Sequence, residues 1–303
     1  MKNKKQDKNK KKSTGLKVKQ QHDGLFKEVL ARPEQARSLL KKCGSEVLLK
    51  AINLDSLALD NTEYRDENFK TSFSDIVYNV EVVEKNKAKI CFLFEHKSYV
   101  DKYIWPQLLT YIAKIMERAL DNGDKLPLVI PIIVYHGKKE WKGRDLKEYW
   151  SKIYTKELTE WMLHIPKIDV DICSMDIQKK FADDPFLALS LVFMRIASLG
   201  KYTKEELVNI TTYVKKISKK DILIAATYIT YSLPAKEKNH FIKILNQSGE
   251  GGKLMYRTIA DSIKDEGIQE GMQQGRQSTI DALVMQGIMT EEQADQFLHQ
   301  HRN

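Results

Sequence analysis

Two hydrophobic periods interleave in the first part of the chain, and one of them takes over in the rest. From His22, HDGLFKEVLARPEQARSLLKKCGSEVLLKAI carries apolar residues at helical spacing, with Leu25, Val29 and Leu30 on one stripe. Pro33 suits the first turn of a helix and Gly44 a break, so the spacing predicts two or three short helices. After the polar stretch DNTEYRDENFK, the segment SDIVYNVEVVEKNKAKICFLFEHKS reads as two long strands joined by a tight polar turn at Glu84 to Lys87. Next, Ile104, Leu108, Tyr111, Ile112, Ile115 and Met116 recur at helical spacing, and Asn122-Gly123 closes that helix. LPLVIPIIVYHG is an unbroken apolar run, as a strand buried on both faces requires, and KIDVDIC alternates as a shorter strand does. The order of helices, hairpin, helix, strand, helix and strand predicts an α/β fold, a mixed sheet flanked by helices.

From about residue 180 only the helical period remains. DPFLALSLVFMRIASLG, TKEELVNITTYVKKIS, KKDILIAATYITYSLP and KEKNHFIKILNQ are each amphipathic, with Gly, Pro or charged breaks between them. An all-helical C-terminal region is therefore expected. Further on, EGIQEGMQQGRQ places Gly267, Gly271 and Gly275 four residues apart. Each glycine costs a helix about 0.5 to 1 kcal/mol relative to alanine, so a flexible linker is the simpler reading, with two more helices after it that open on Ser or Thr. The expected organisation is a disordered Lys-rich tail over 1–21, an α/β domain over 22–178, a helical region over 179–248, and a Gly-containing linker with C-terminal helices over 249–303.

Composition narrows the function classes. With 303 residues, 42% hydrophobic and 30% charged, the chain can bury one sizeable core or two modest ones. No run approaches the roughly 18 to 20 apolar residues of a membrane span, and the N-terminus lacks a secretory apolar region, so a cytoplasmic protein without membrane contact is expected. Cys43, Cys91 and Cys173 stand far apart and read as small buried hydrophobes rather than a disulfide framework or zinc knuckle. The formal charge of +9 looks like a nucleic-acid signature until it is located. Residues 1–21 hold nine Lys and one Asp, which is almost all of the excess. A segment so poor in apolar residues cannot offset its ordering entropy; it either adds salt-sensitive affinity for nucleic acid or serves only as a solubilising leader.

Candidate chemistry sits where the apolar strand ICFLFEHKS ends in charge. Alternate strand residues share a face, so Glu95 and Lys97 point one way while Phe94 and His96 point the other. Antiparallel pairing would bring Asp75, at the start of the partner strand, close to Glu95. Two carboxylates a few ångströms apart repel, and a hard divalent cation commonly resolves this; with a lysine alongside, the set suits metal-assisted phosphodiester hydrolysis. The competing reading is a surface ion pair of little energetic weight. Acid-x-Lys occurs three times, at Glu95/Lys97, Glu140/Lys142 and Asp145/Lys147. Only the first ends a buried strand with an Asp on its partner; the other two fit a solvated face.

HDGLFKEVL, SDIVYNV, FLFEHKS, the helix with Gln107 and Tyr111, and LPLVIPIIVYHGK together resemble the recombination-promoting nuclease and YhgA-like transposase family, a branch of the PD-(D/E)xK nuclease superfamily. The likeness runs in order over roughly residues 22 to 175, which is far more specific than a lone E-x-K. It implies a restriction-endonuclease-like fold and a DNA endonuclease, with Asp75 and Glu95 binding Mg²⁺ or another divalent cation such as Mn²⁺ or Ca²⁺. It also implies that Lys97 is the catalytic lysine and that Gln107 is the glutamine of the next helix, with Tyr111 one turn later. Even DEGIQEGMQQGRQ echoes the glycine repeats near the C-terminus of many members. Ser74 replaces the superfamily proline. Glu28 is available as a further acid, and Asp23 fits either a helix cap or a substrate contact. A core or supporting role is expected for His96 and a structural one for His136. The function this implies is a Mg²⁺-dependent endodeoxyribonuclease linked to recombination or mobile DNA, with DNA as partner and the oligomeric state open, a homo-oligomer included. The alternative is a catalytically inactive nucleic-acid-binding or protein-interaction module that keeps the fold.

Overall fold

A computed structural model describes residues 21–60, 76–83, 89–101, 103–143, 145–151 and 154–300. Residues 1–20 of the tail expected over 1–21, the hairpin turn at Glu84 to Lys87, and Ser74 and Asp75 lie outside the described residues, whereas Gln21 already belongs to the first helix. The chain opens with α1 (residues 21–30), α2 (Pro33–Cys43) and α3 (Glu46–Ala51). Pro33 stands at the first turn of α2 and the Ser45 hydroxyl caps α3 by accepting from the Leu48 amide, so short-range chemistry sets these boundaries.

Among the described residues five strands follow in one sheet, ordered β1-β2-β3-β4-β5 in space as in sequence. They are β1 (Ile52–Asp60), β2 (Ile76–Val82), β3 (Lys89–Lys97), β4 (Leu128–Tyr135) and β5 (Ile168–Asp171). β1, β2 and β3 run antiparallel, whereas β3, β4 and β5 run parallel, which makes the sheet mixed. The parallel step from β3 to β4 needs a crossover, and α4 (Ile104–Asp121) supplies it. β1 was not predicted from the sequence. It is an edge strand with an irregular register between Asn53 and Ala58, and only Ile52 and Leu57 are fully buried, so its alternation is weak. Pro131 is tolerated inside β4 because pairing with β5 begins only at Ile132, where a missing N–H upstream costs no ladder bond on that side.

The sheet has two covered faces. Leu93, Cys91, Val77 and Ile133 pack against Trp105, Leu108, Tyr111, Ile112 and Ile115 of α4. Tyr78, Val80, Phe92, Phe94, Ile132 and Val134 face the opposite way, into a larger core with α1, α2 and the C-terminal helices. Each such large side chain contributes roughly 1.5 to 3 kcal/mol by leaving water, so the two faces fix the register of β3. A slip by one residue would reverse every side chain, charges included.

After α5 (Leu146–Ser151), a 3₁₀ turn (Lys156–Trp161) and α6 (Ile177–Phe181), the region from α7 onward is helical as expected. α7 (Pro185–Leu199) is apolar all round, starts on an Asp184 cap and stops at Gly200, whose φ of 67° places it in the left-handed region. It is the buried element against which α8 (Lys204–Val214) and α9 (Lys219–Ser232) pack. α10 (Ala235–Gln247), α11 (Gly249–Met285) and α12 (Glu291–Gln300) complete the chain. The linker expected over the glycines is instead part of α11, which continues through Gly267, Gly271 and Gly275. Buried Ala226, Met255 and Ile259 belong to the core that anchors its N-terminal part, so tertiary packing overrides local propensity there. Among the described residues no helix is long and apolar enough to cross a membrane.

Candidate active site

Glu95 and Lys97 are the last two α4-facing residues of β3, and both are nearly inaccessible, at 4% and 7% exposure. Burying a carboxylate and an ammonium is tolerated only when each is paired and hydrogen-bonded. Lys97 Nζ lies 2.9 Å from Glu95 Oε1 and 3.1 Å from Asp101 Oδ2. It also donates to Gln107 Oε1 at 2.8 Å. The ammonium's three donors thus have three oxygen partners. Gln107 in turn donates from Nε2 to Glu95 Oε1 at 2.9 Å and to the Tyr111 hydroxyl oxygen at 3.0 Å. Its spacing of four from Tyr111 puts both on the face of α4 that lies against the sheet.

Burial works to lower the Lys97 pKa, but the charge and hydrogen bond of Glu95, joined by those of Asp101, outweigh it and raise it. The neighbouring carboxylates thus favour the charged form of Lys97. Two carboxylates around one ammonium give the cluster a formal charge of −1, with all three side chains largely shielded from water. The described contacts of Glu95 all fall on Oε1.

β3 separates this cluster from a second one. His96 points to the opposite face, as the strand period predicts, and its Nδ1 lies 3.0 Å from Asp23 Oδ1. Its Nε2 lies 2.5 Å from His136 Nε2, and His136 Nδ1 is hydrogen-bonded to the Ser198 hydroxyl. His22 stacks edge-on to His136 at 4.7 Å between ring centroids and bonds through Nδ1 to the Tyr228 hydroxyl at 2.7 Å. Burial, then the neighbouring His96, holds His22 down to about 4. Burial followed by His96 and His22 also holds His136 well below the usual range. The side chains of His22, His96 and His136 thus link α1, β3, β4, α7 and α9 across this face of the sheet.

Of the residues predicted for the site, Glu95, Lys97 and Gln107 are brought together. Asp75 lies outside the described residues; the next residue, Ile76, pairs with Phe94, one position before Glu95. Glu28 takes no described part: its carboxylate is half exposed, 3.7 Å from Arg32, and it lines a groove of about 410 Å³ between α1 and α9. Asp23 supports His96 from the far side of the sheet. In the other two acid-x-Lys pairs, Glu140, Lys142 and Lys147 are exposed, in keeping with a solvated face. Asp101 was missed; its only sequence signal is its position four residues after Lys97, in a loop where that spacing has no fixed geometric meaning. Among the described residues, no group of three or more His, Cys, Asp or Glu side chains is arranged to hold a metal ion.

Comparison with known proteins adds a second line of observation. The model of the family described as "Putative transposase, YhgA-like" matches residues 20–222. The chain is 28% identical over 262 residues to the Inactive recombination-promoting nuclease-like protein RpnE of Escherichia coli (strain K12), covering 84% of this chain and 85% of that one. It is 26% identical to Recombination-promoting nuclease RpnD of Escherichia coli O157:H7, over 81% of this chain and 94% of the relative. To Recombination-promoting nuclease RpnC of strain K12 it is 27% identical, over 82% of each. No solved structure matches the chain.

Proposed function

Because this chain belongs to the YhgA-like transposase family, we propose that it is a divalent-metal-dependent DNA endonuclease acting in recombination or on mobile DNA. The observation that carries the reading is the buried convergence of Glu95, Lys97 and Gln107 at the end of β3, in a chain whose relatives include proteins named recombination-promoting nucleases.

The donor chemistry suits Mg²⁺. Carboxylate oxygens are hard ligands, and Mg²⁺ needs only one or two of them together with waters and substrate phosphate. The formal −1 of the Glu95, Asp101 and Lys97 cluster favours a cation, and Glu95 has a second oxygen beyond the one its described contacts use. Glu95 and Asp75 are the residues that would hold the ion. The chemistry a divalent cation supplies when bound there is polarisation of a phosphoryl oxygen and activation of water.

The chain's own groups do the rest. Phosphodiester hydrolysis builds negative charge on the phosphoryl oxygens, and a pre-positioned ammonium shielded from water stabilises that charge without reorganising. Lys97 is the group so placed, held charged by Glu95 and Asp101. Gln107 bonds to both Glu95 and Lys97, so it sets their mutual orientation, and Tyr111 steadies Gln107 from the next turn of α4. The Lys-rich residues 1–21 would add non-specific affinity by releasing counterions from phosphates.

A second reading, a nucleic-acid-binding protein that does not cut, is favoured by one observation: a relative at 28% identity bears the name Inactive. Nicking of supercoiled plasmid separates the two. Cleavage with Mg²⁺, none with EDTA, and a loss of at least about a hundredfold in Asp75→Ala and Glu95→Ala are expected. Equal cleavage by either variant overturns the proposed site, and absence of cleavage by the unaltered chain favours the second reading.

A further inference from the structure

The loop that leaves β3 beside the candidate site carries two large aromatic side chains that stay largely exposed. Tyr99 is 53% exposed and Tyr103 72% exposed, in a protein whose other aromatic residues on β3 and α4, Phe92, Phe94, Trp105 and Tyr111, are buried. Both tyrosines are tied to the cluster. Lys97 Nζ lies 6.0 Å from the Tyr99 ring centroid, at the outer reach of a cation–π contact. Asp101 Oδ1 accepts from the Tyr103 backbone amide at 2.9 Å, while its other oxygen holds Lys97. Gln107 follows Tyr103 by four residues, which is one helical turn. The Asp101 carboxylate is bound to Lys97, with its side chain only 18% exposed, whereas both tyrosine side chains are open to solvent.

We infer that Tyr99 and Tyr103 form a stacking platform for unpaired bases next to the phosphate that Lys97 contacts, so that the preferred substrate carries single-stranded or locally opened nucleic acid at the cut. The inference rests on the nuclease reading of the site. A base inside a duplex has both faces covered by its neighbours and cannot offer one to a side chain, whereas an unpaired or extruded base can. Stacking on an aromatic ring is open to every base, so the platform selects strand state and leaves sequence unread. The arrangement fits such selection, because the half-exposed Tyr99 ring lies 6.0 Å from Lys97 Nζ, so a base stacked on it would sit close to a phosphate drawn to that ammonium.

Binding measured without cleavage tests the platform. Fluorescence anisotropy in EDTA, at one fixed salt concentration, compares a labelled single-stranded oligodeoxynucleotide with a blunt duplex of the same length. Tyr99→Ala and Tyr103→Ala each weaken single-strand binding roughly tenfold, Tyr99→Phe and Tyr103→Phe keep it within about twofold, and duplex binding changes by less than about threefold in all four. Alanine variants that bind the single strand as the unaltered chain does overturn the platform, as do variants that lose single strand and duplex alike, since the tyrosines would then serve phosphate contact or loop structure. Plasmid nicking with Mg²⁺ keeps the two proposals apart. A chain that shows the stacking pattern but never cuts loses the nuclease reading and keeps the platform; one that cuts, with its alanine variants binding single strand unchanged, does the reverse.

Discussion

Lys97 is the residue on which the candidate site turns, because it is the only cation between two carboxylates, Glu95 and Asp101, among the described contacts of the cluster. Removing it leaves two largely buried carboxylates facing each other. Lys97→Met is expected to destabilise the fold by about 3 kcal/mol in urea unfolding near pH 7, and adding Glu95→Gln in the same chain is expected to recover part of that loss. No recovery in the double variant would show that the three groups are not coupled. The histidine cluster makes a separate prediction in pH. His22 titrates near 4 when folded against about 6.5 when unfolded, so the unfolded chain takes up a proton first as pH falls. Stability is complete above about pH 6.5 and drains toward pH 4, by up to roughly 3 kcal/mol from this residue alone, with His136 acting in the same direction. Urea midpoints should stay level from pH 8 to about pH 6.5 and fall below that toward pH 5, and His22→Phe should flatten the fall. At this scale the sequence was readable where geometry is local. The period of two put Glu95 and Lys97 on one face and His96 on the other. Asp101 and the Asp23–His96–His136 chain were not readable, since each depends on which loop or helix meets which face.

Among the elements, the strands and helices with full apolar patterns were legible: β2 to β5, α4, and α7 to α10 all answer to runs whose period is unbroken. β1 escaped because an edge strand buries little and so alternates little. α11 was misread for the opposite reason, since its three glycines argue locally against the helix that its N-terminal packing enforces. A side chain added at Gly271 would meet nothing within 4 Å, so Gly271→Ala adds helix propensity without a clash. It is expected to stabilise α11 by about 0.5 to 1 kcal/mol and to deepen the circular dichroism signal at 222 nm. A weaker signal or a lower melting temperature would count against a continuous helix through the glycines.

For the molecule as a whole, charge is the property most unevenly distributed. Residues 1–21 carry nine lysines and one aspartate, while the remainder is close to neutral. Deleting them should weaken duplex binding and reduce the slope of log affinity against log salt by about 0.9 for each lysine engaged, measured by titration at several salt concentrations. An unchanged slope would assign phosphate contact to the folded part alone. The sequence by itself determined the family, the mixed α/β class with its helical C-terminal region, and the carboxylate and amine at the end of an apolar strand, because patterning and strand period act between near neighbours. Only the tertiary structure decided that Gln107 bridges Glu95 and Lys97, that Asp101 completes the cluster, and that the histidines lie across the sheet from it. Those outcomes depend on α4 crossing one face of β3 and α1, α7 and α9 covering the other, and contacts of that range are set by how whole faces bury, which no local pattern contains.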